Sequence, residues 1–236
     1  MCATCGCGDT HAHSHSHEEI TLEHSHEEIT LEQKVLAKND QLAAINRAFL
    51  ESQEITTINL MSSPGSGKTT LLERTIRELT RTMAVIEGDQ ETMLDAERIR
   101  STGCPVVQIN TGAGCHLDAA MLRDAIDRLQ PERRALLFVE NVGNLVCAAL
   151  FDLGERGRVV VVSVTEGTDK PLKYPYMFAA ADLVVVNKVD LLPYVDFDLA
   201  ACRAYVASVN PKAEVLALSA TRGDNLDSWY DWLAAV

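Results

Sequence analysis

An α/β fold with a mostly parallel sheet flanked by helices is what this 236-residue sequence predicts, on three observations. Short β-rich runs alternate with helical stretches along most of the chain, the order of strands joined by crossover helices. Runs such as VVVVSV (159–164) and LVVVN (183–187) are apolar almost throughout, as expected of strands covered on both faces. A glycine-rich turn follows the first such run and leads into a helical stretch, the arrangement of a phosphate-binding loop.

The elements fall into three regions: a Cys/His-rich tail at 1–30, an amphipathic helix at 31–53, and an α/β domain at 54–236. The tail holds Cys2, Cys5 and Cys7 and six of the seven histidines, with no Lys or Arg. Its segment SHEEITLE at 16–23 recurs at 25–32, a local duplication too short for a solenoid. So polar a stretch buries too little apolar surface to offset its ordering entropy, and it is expected to be mobile without metal. In the helix, Leu31, Val35, Leu42, Ile45 and Phe49 recur at three-to-four-residue steps, with a gap at Lys38, and predict one apolar face, packed on the body or on a second subunit. Strands are expected at Ile55–Met61, Met83–Ile86, Pro105–Ile109, Ala135–Glu140, Arg158–Val164, Leu183–Asn187 and Glu214–Leu218. Helices are expected at Lys68–Thr80, Thr92–Ser101, His116–Leu129, Leu199–Val209 and Asn225–Ala234.

Composition narrows the function. The chain carries 21 Lys+Arg against 34 Asp+Glu, a formal charge of −13, which argues against nucleic-acid binding through a basic face. No apolar run approaches a membrane span, and the start lacks the basic and apolar regions of a secretory signal. The expected setting is cytoplasmic, without membrane attachment. Closely spaced cysteines in such a setting point to metal or redox chemistry before structural disulfides.

Ser62-Ser63-Pro64-Gly65-Ser66-Gly67-Lys68-Thr69-Thr70 matches G-x-x-x-x-G-K-[ST] except at its first position, where Ser62 replaces glycine. Gly65, Ser66 and Gly67 let the backbone approach phosphates, Lys68 can reach the β/γ-phosphates, and Thr69 offers a hydroxyl to Mg²⁺. The helix beginning there, through Thr70, points its positive end at the anion. Asn187-Lys188-Val189-Asp190 follows a buried-looking strand about 120 residues later. Asp190 could accept from guanine N1–H and its 2-amino group, a donor pair adenine lacks. Lys188 can lie along the base, and Asn187 can tie this loop to the phosphate loop. Ser219-Ala220-Thr221 follows the last strand, where a backbone N–H could meet guanine O6. The site therefore reads as one for GTP. Glu140-Asn141-Val142-Gly143 ends a strand where many GTPases place D-x-x-G, so Glu140 would hold Mg²⁺ through water and the Gly143 N–H would sense the γ-phosphate. Asp89 is the other Mg²⁺-side carboxylate. Asn144 stands where many GTPases carry a water-orienting glutamine, which predicts slow turnover.

Two metal sites are expected. Cys2, Cys5 and Cys7 place three thiolates within six residues, a set that suits Ni²⁺ or Zn²⁺. A redox C-x-x-C pair competes with that reading, though such pairs sit before a helix in a folded domain. His11, His13, His15, His17, His24 and His26 form a looser multi-ion stretch behind it. Cys115 and His116 follow a glycine-rich turn and open an expected helix, whose N-terminus would favour the thiolate, and Cys147 comes four residues after Gly143. Three ligands leave an open shell for release or for completion by a partner subunit. Cys104 and Cys202 have no such context and read as packing residues.

These segments together resemble the nickel-incorporation accessory GTPases of [NiFe]-hydrogenase maturation, the HypB family. The resemblance rests on Cys-x-x-Cys-Gly-Cys, the histidine-rich linker, SSPGSGKTT, VIEGDQ, NTGAGCHLDA, ENVGNLVC, SVTEGTDKPLKYP, NKVDLLPY and the final SAT. It implies a P-loop G domain of the SIMIBI-like kind and a tight nickel site at Cys2, Cys5 and Cys7. It also implies a nickel or zinc site at Cys115, His116 and Cys147 on a GTP-promoted homodimer interface. The implied partners are a small zinc protein (HypA) and the hydrogenase large subunit, to which nickel is delivered. The related urease-type nickel GTPase shares the P-loop and switch segments, but the Cys2-x-x-Cys5-x-Cys7 start favours the hydrogenase type. A metal-storage protein would use the cysteines and histidines with the α/β domain as a scaffold. A translation or signalling GTPase would leave them unexplained.

Overall fold

The computed structural model describes residues 17–89, 94–112, 114 and 116–236, with the backbone alone for 17–32. Cys2, Cys5, Cys7, Cys115 and the histidines from His11 to His15 lie outside the described residues. The chain divides into a unit ending at Lys38 and a unit Asn39–Val236.

The second unit is built on seven parallel strands: β1 (Thr56–Ser62), β2 (Met83–Asp89), β3 (Val106–Asn110), β4 (Leu136–Glu140), β5 (Gly157–Ser163), β6 (Leu183–Asn187) and β7 (Glu214–Ala217). Their order across the sheet is β3-β2-β4-β1-β5-β6-β7. Every ladder is parallel, so all C-terminal ends lie along one edge. The strands β1, β4 and β6 are buried at almost every residue, which explains the apolar runs of β4 and β6, while β1 buries Thr57, Asn59 and Ser62 among its apolar residues. One core cluster contains Ile58, Leu60, Phe138 and Trp229; a second contains Met61, Val160, Val184 and Phe178. Trp229 is itself anchored by donating from Nε1 to Thr75 Oγ1 (2.9 Å).

The connecting helices are α2 (Lys68–Glu78), α3 (Leu94–Arg100), α4 (Ala119–Leu129), α5 (Lys170–Lys173), α6 (Pro175–Ala179), α7 (Leu199–Val209) and α8 (Leu226–Ala235). The sequence pattern starts one of these at His116, whereas α4 starts at Ala119. Asp118 caps it instead, its carboxylate accepting from the Met121 N–H at 2.8 Å. An aspartate is a preferred N-cap, so His116 precedes the helix rather than opening it. The short α5 and α6, and the 3-10 turns Cys147–Ala149 and Val189–Tyr194, are not expected from periodicity. Each is too brief to show one.

The first helix, α1, runs His17–Ser52 and so begins earlier than the residue 31 expected. Glu favours helix over coil, and each copy of the duplicated segment holds three glutamates. Its buried face only partly follows the apolar stripe that periodicity selects. Phe49 packs against the core and Ile45 is exposed, while Asn39, Ala43, Asn46 and Leu50 are buried. Both buried asparagines bond to backbone groups outside the helix. Asn39 donates to the Asp152 carbonyl (2.7 Å) and accepts from the Ala119 N–H (2.9 Å). Asn46 donates to the carbonyls of Ala119 (2.8 Å) and Leu153 (3.1 Å). Two polar residues thus replace apolar ones because they satisfy backbone groups of the α4 start and the 152–154 loop. Gly154 completes this contact; at φ +90, a Cβ there would lie 2.5 Å from the Ala43 carbonyl oxygen.

Candidate nucleotide and metal site

Parallel α/β sheets bind ligands at the C-terminal ends of their strands, where successive connections diverge. Here the loops after β1, β2, β4 and β6 surround a cavity of about 510 Å³, lined by residues 64–65, 67–70, 87–89, 140–143 and 188 with Asp95 and Arg98.

The phosphate loop wraps one side. Ser62, the residue replacing glycine, is fully buried. Its hydroxyl accepts from Lys68 Nζ at 2.6 Å and donates to the Ser63 carbonyl at 2.6 Å. A glycine could not hold the lysine in this way. Burial pushes the Lys68 ammonium below its ordinary pKa, against the pull of Glu140, Asp95, Glu87 and Glu166. Ser63 bonds to Glu166, whose other oxygen accepts from the Ser163 N–H (3.0 Å) and which pairs with Lys170 at 3.5 Å. The loop after β5 therefore braces the phosphate loop, a connection that no sequence motif announces.

The base-side loops converge on one side chain. Asn187 donates to the Ser66 carbonyl (2.9 Å) and accepts from the amides of Lys188 (2.8 Å) and Ala220 (3.0 Å). Lys188 donates to the Gly65 carbonyl at 2.7 Å. Gly65, Ser66, Asn187, Lys188 and Ala220 are thus brought together, with Asp190 second in the adjacent 3-10 turn. The Ala220 amide, one of the backbone donors of the segment Ser219-Ala220-Thr221, is engaged by Asn187. Ser219 is buried and turns its loop by accepting from the Arg222 amide at 3.1 Å.

The remaining wall is acidic. Thr69 Oγ1 donates to Glu140 Oε1 at 2.6 Å. Glu87, one strand over and paired in register with Glu140, is only 2% exposed. Glu87 Oε2 and Glu140 Oε2 are buried without a hydrogen-bond partner among the described residues. Burial and the neighbouring Glu140, Asp89 and Asp95 push the Glu87 carboxyl up to about 8, and burial raises Glu140 as well. Unpartnered buried carboxylate oxygens beside a threonine hydroxyl are hard donors that fit Mg²⁺. Thr69, Asp89 and Glu140 could hold that ion, with Glu87 next to them. Glu87 lies within the segment VIEGDQ, but the sequence singles out only Asp89 there, because a strand glutamate shows neither its burial nor its pairing with Glu140. Arg98 also escapes notice in the sequence; it reaches the cavity from α3 while paired with Glu73 (2.6 Å) and Thr70 (3.2 Å).

Glu87 gives a pH prediction. Its carboxyl titrates near 4.5 when unfolded and about 8 when folded. Between these values the folded chain keeps a proton that the unfolded chain has lost. Stability in metal-free buffer should therefore fall as pH rises from about 4.5 through about 8. Glu87→Gln should remove this part of the slope. Urea midpoints of both chains across that range check it; parallel curves would refute it.

The metal-side residues lie beyond Gly143. A Cβ on Gly143 would meet Pro64 at 3.2 Å, so this glycine lies directly against the phosphate loop. Asn144 does not face the cavity with an open carbonyl; its Oδ1 accepts from the amides of Val146 (2.7 Å) and Cys147 (3.0 Å). Cys147 opens the 3-10 turn, and Phe151 after it stacks on the His116 ring, centroids 3.9 Å apart. Burial lowers the His116 pKa despite Asp118 nearby, which keeps the imidazole neutral and able to ligate. Among the described residues no group of three or more His, Cys, Asp or Glu side chains is placed to hold a metal. Cys104 and Cys202 are buried, and burial pushes each thiol up to about 11; a protonated thiol is a poor ligand. No described helix is long and apolar enough to cross a membrane.

Comparison with known proteins agrees with this geometry. Residues 56–217 match the family model described as the CobW/HypB/UreG nucleotide-binding domain. The chain is 57% identical to hydrogenase maturation factor HypB of Escherichia coli K12 over 201 residues, 84% of this chain and 69% of that protein. It is 38% identical to the hydrogenase/urease maturation factor HypB of Helicobacter pylori J99, covering 85% of each. A crystal structure of HypB from Helicobacter pylori in complex with nickel superposes with a TM-score of 0.81 at 37% identity, over 84% of this chain and 94% of that one.

Proposed function

Because the chain belongs to the HypB family, and so carries a P-loop nucleotide-binding domain, we propose that it is a GTP-dependent nickel chaperone of [NiFe]-hydrogenase maturation. In this reading it hydrolyses GTP to GDP and phosphate and uses the nucleotide state to set its affinity for Ni²⁺. The observation that carries the proposal is the single segment 140–147, which begins at the cavity wall with Glu140 and ends at Cys147. The names of the Escherichia coli and Helicobacter pylori relatives, and the nickel in the latter's crystal structure, support hydrogenase and nickel respectively.

Lys68 and the α2 amides bind the β- and γ-phosphates, and Asp190 reads the guanine edge. Thr69, Asp89 and Glu140 hold Mg²⁺, which when bound neutralises phosphate charge. The Gly143 amide meets the γ-phosphate. Asn144 spends its carbonyl oxygen on two backbone amides, so it does not orient the attacking water, and turnover is slow. His116 and Cys147, with Cys115, form a nickel or zinc site completed across a GTP-promoted homodimer. Cys2, Cys5 and Cys7 capture nickel at the other end of the chain. A small zinc-containing accessory protein and the hydrogenase large subunit are the proposed partners in delivery.

The test compares Ni²⁺ affinity of the protein loaded with a non-hydrolysable GTP analogue and with GDP. A difference of about 5–150-fold is the ordinary range of such coupling. Equal affinities would end the proposal, and turnover of several GTP per second by the purified protein would contradict its slow switch.

A further inference from the structure

Two asparagines bracket Gly143, and each holds the backbone beside one metal-side residue. Asn141, 1% exposed, accepts through Oδ1 from the amides of Leu117 (3.2 Å) and Val142 (3.0 Å). Leu117 is the residue next to His116. Its side chain is wedged against Gly88, where a Cβ would lie 2.8–2.9 Å from three Leu117 carbons. Asn141 is fixed in turn by donating to Asn59 Oδ1 (3.3 Å), and Asn59 donates to the buried Glu155 (3.1 Å). The His116 side is therefore pinned to the static body of the sheet. Asn144 acts on the other side of Gly143. Its own amide donates to the Val142 carbonyl (2.7 Å), while its Oδ1 receives the amides of Val146 and Cys147.

We propose that Asn144 is the positioning residue that transmits the nucleotide state from Gly143 to Cys147, while Asn141 keeps His116 stationary. This rests on the reading above that the Gly143 amide meets the γ-phosphate. Gly143 lies 3.2 Å from Pro64 by its missing Cβ, so a phosphate in the loop must act at this contact. Asn141 and Asn144 share the short peptide between them, but only Asn144 lies beyond Gly143. A shift at Gly143 therefore carries Asn144, and with it the two amides that its carbonyl holds. Leu145 and Ala148 are buried in the core beside Met61 and Val160. With Leu145 before the 3-10 turn and Ala148 within it held in the core, the turn responds by pivoting about these contacts, which turns Cys147 relative to His116. Packed elements with two discrete arrangements convert small displacements in this way. The GTP state then sets the separation of the two ligands, and the bound metal ion feels that separation as a change of affinity.

The proposal is tested on the full chain, without metal, by the rate at which iodoacetamide alkylates Cys147, read site by site by peptide mass spectrometry. Resolving the peptide separates Cys147 from the other cysteines. In the wild type the rate should differ at least about threefold between GDP and a non-hydrolysable GTP analogue, near the lower end of typical coupling. Asn144→Ala should bring that ratio to about one, and Asn144→Asp, which keeps an acceptor oxygen, should restore it. GDP affinity of each variant is measured alongside as the check on folding. A wild-type ratio retained in Asn144→Ala overturns the role of Asn144 and leaves GTP–nickel coupling standing. A ratio near one in the wild type overturns the rotation of Cys147, and equal Ni²⁺ affinities in the two nucleotide states overturn the coupling itself. Should Asn144→Ala fail to fold, hydrogen exchange of the wild-type peptide 144–150 decides: exchange slowed by the GTP analogue relative to GDP supports the proposal, and identical exchange overturns it.

Discussion

Gly67→Ala is expected to lower affinity for GDP and GTP by about 100-fold or more, the largest effect of any single methyl group in the site. Two costs add. Gly67 has φ +99, a conformation that costs a non-glycine residue about 1–3 kcal/mol where the fold enforces it. A Cβ would also lie 2.5 Å from Asn187 Nδ2. That side chain cannot swing away cheaply, because its donor holds Ser66 and its acceptor holds the amides of Lys188 and Ala220. Relief must come either from Gly67, which displaces the first turn of α2 from the phosphates, or from Asn187, which releases the base-side loops. Both routes damage the nucleotide site, so affinity falls further than stability. Calorimetric titration with GDP, paired with a urea melt, checks this. Affinity within about twofold of wild type would mean the phosphate loop is not the binding element.

Asp190→Asn is expected to weaken GTP binding by roughly 100- to 1000-fold while improving binding of xanthosine triphosphate. The argument is one of donors and acceptors. A carboxylate accepts from guanine N1–H and from the 2-amino group, and hydrogen bonds to a charged acceptor are worth about 1.5–3 kcal/mol each. An asparagine turns one acceptor into an N–H₂ donor, which meets the guanine 2-amino group as a clash of donors. Xanthine carries a carbonyl at that position, so the same donor finds a partner. The 3-10 turn Val189–Tyr194 that carries Asp190 is positioned from outside itself, by the Lys188 bond to Gly65 and the Asn187 bond to the Lys188 amide. The variant should therefore fold. Competition of a fluorescent GDP analogue by GTP and by xanthosine triphosphate measures the exchange of preference. Unchanged GTP affinity would remove Asp190 from the base site.

Legibility of the sequence followed the range of the interactions involved. The strands from β1 to β7 fall within a few residues of expectation; the buried β4, β5 and β6 write near-continuous apolar runs, while β1 carries Asn59 and β3 and β7 are only partly buried. The phosphate loop and the segment Asn187–Asp190 were equally visible, since their chemistry needs fixed spacing within a few residues. Periodicity was incomplete at α1. It selected Phe49, which packs against the core, and Ile45, which is exposed, and passed over Asn39 and Asn46, which are buried. Nothing within the helix reveals that an asparagine will find the Ala119 amide or the Leu153 carbonyl. The apolar pattern allowed α4 to start at His116, while Asp118 capping at Met121 decided otherwise.

By itself, then, the sequence determined the parallel α/β sheet, the phosphate loop and the candidate residues at the strand ends, all of which depend on local pattern. Only the tertiary structure decided how those residues are held. It placed Ser62 on Lys68, Asn187 at the crossing of three loops, Glu87 beside Glu140, and Asn144 between Gly143 and the amide of Cys147. Those pairings arise from sheet order and burial, which bring together groups far apart along the chain and remove the water that would otherwise satisfy them. A buried polar group must then find a partner wherever the fold provides one, and that choice is not written in any single stretch of sequence.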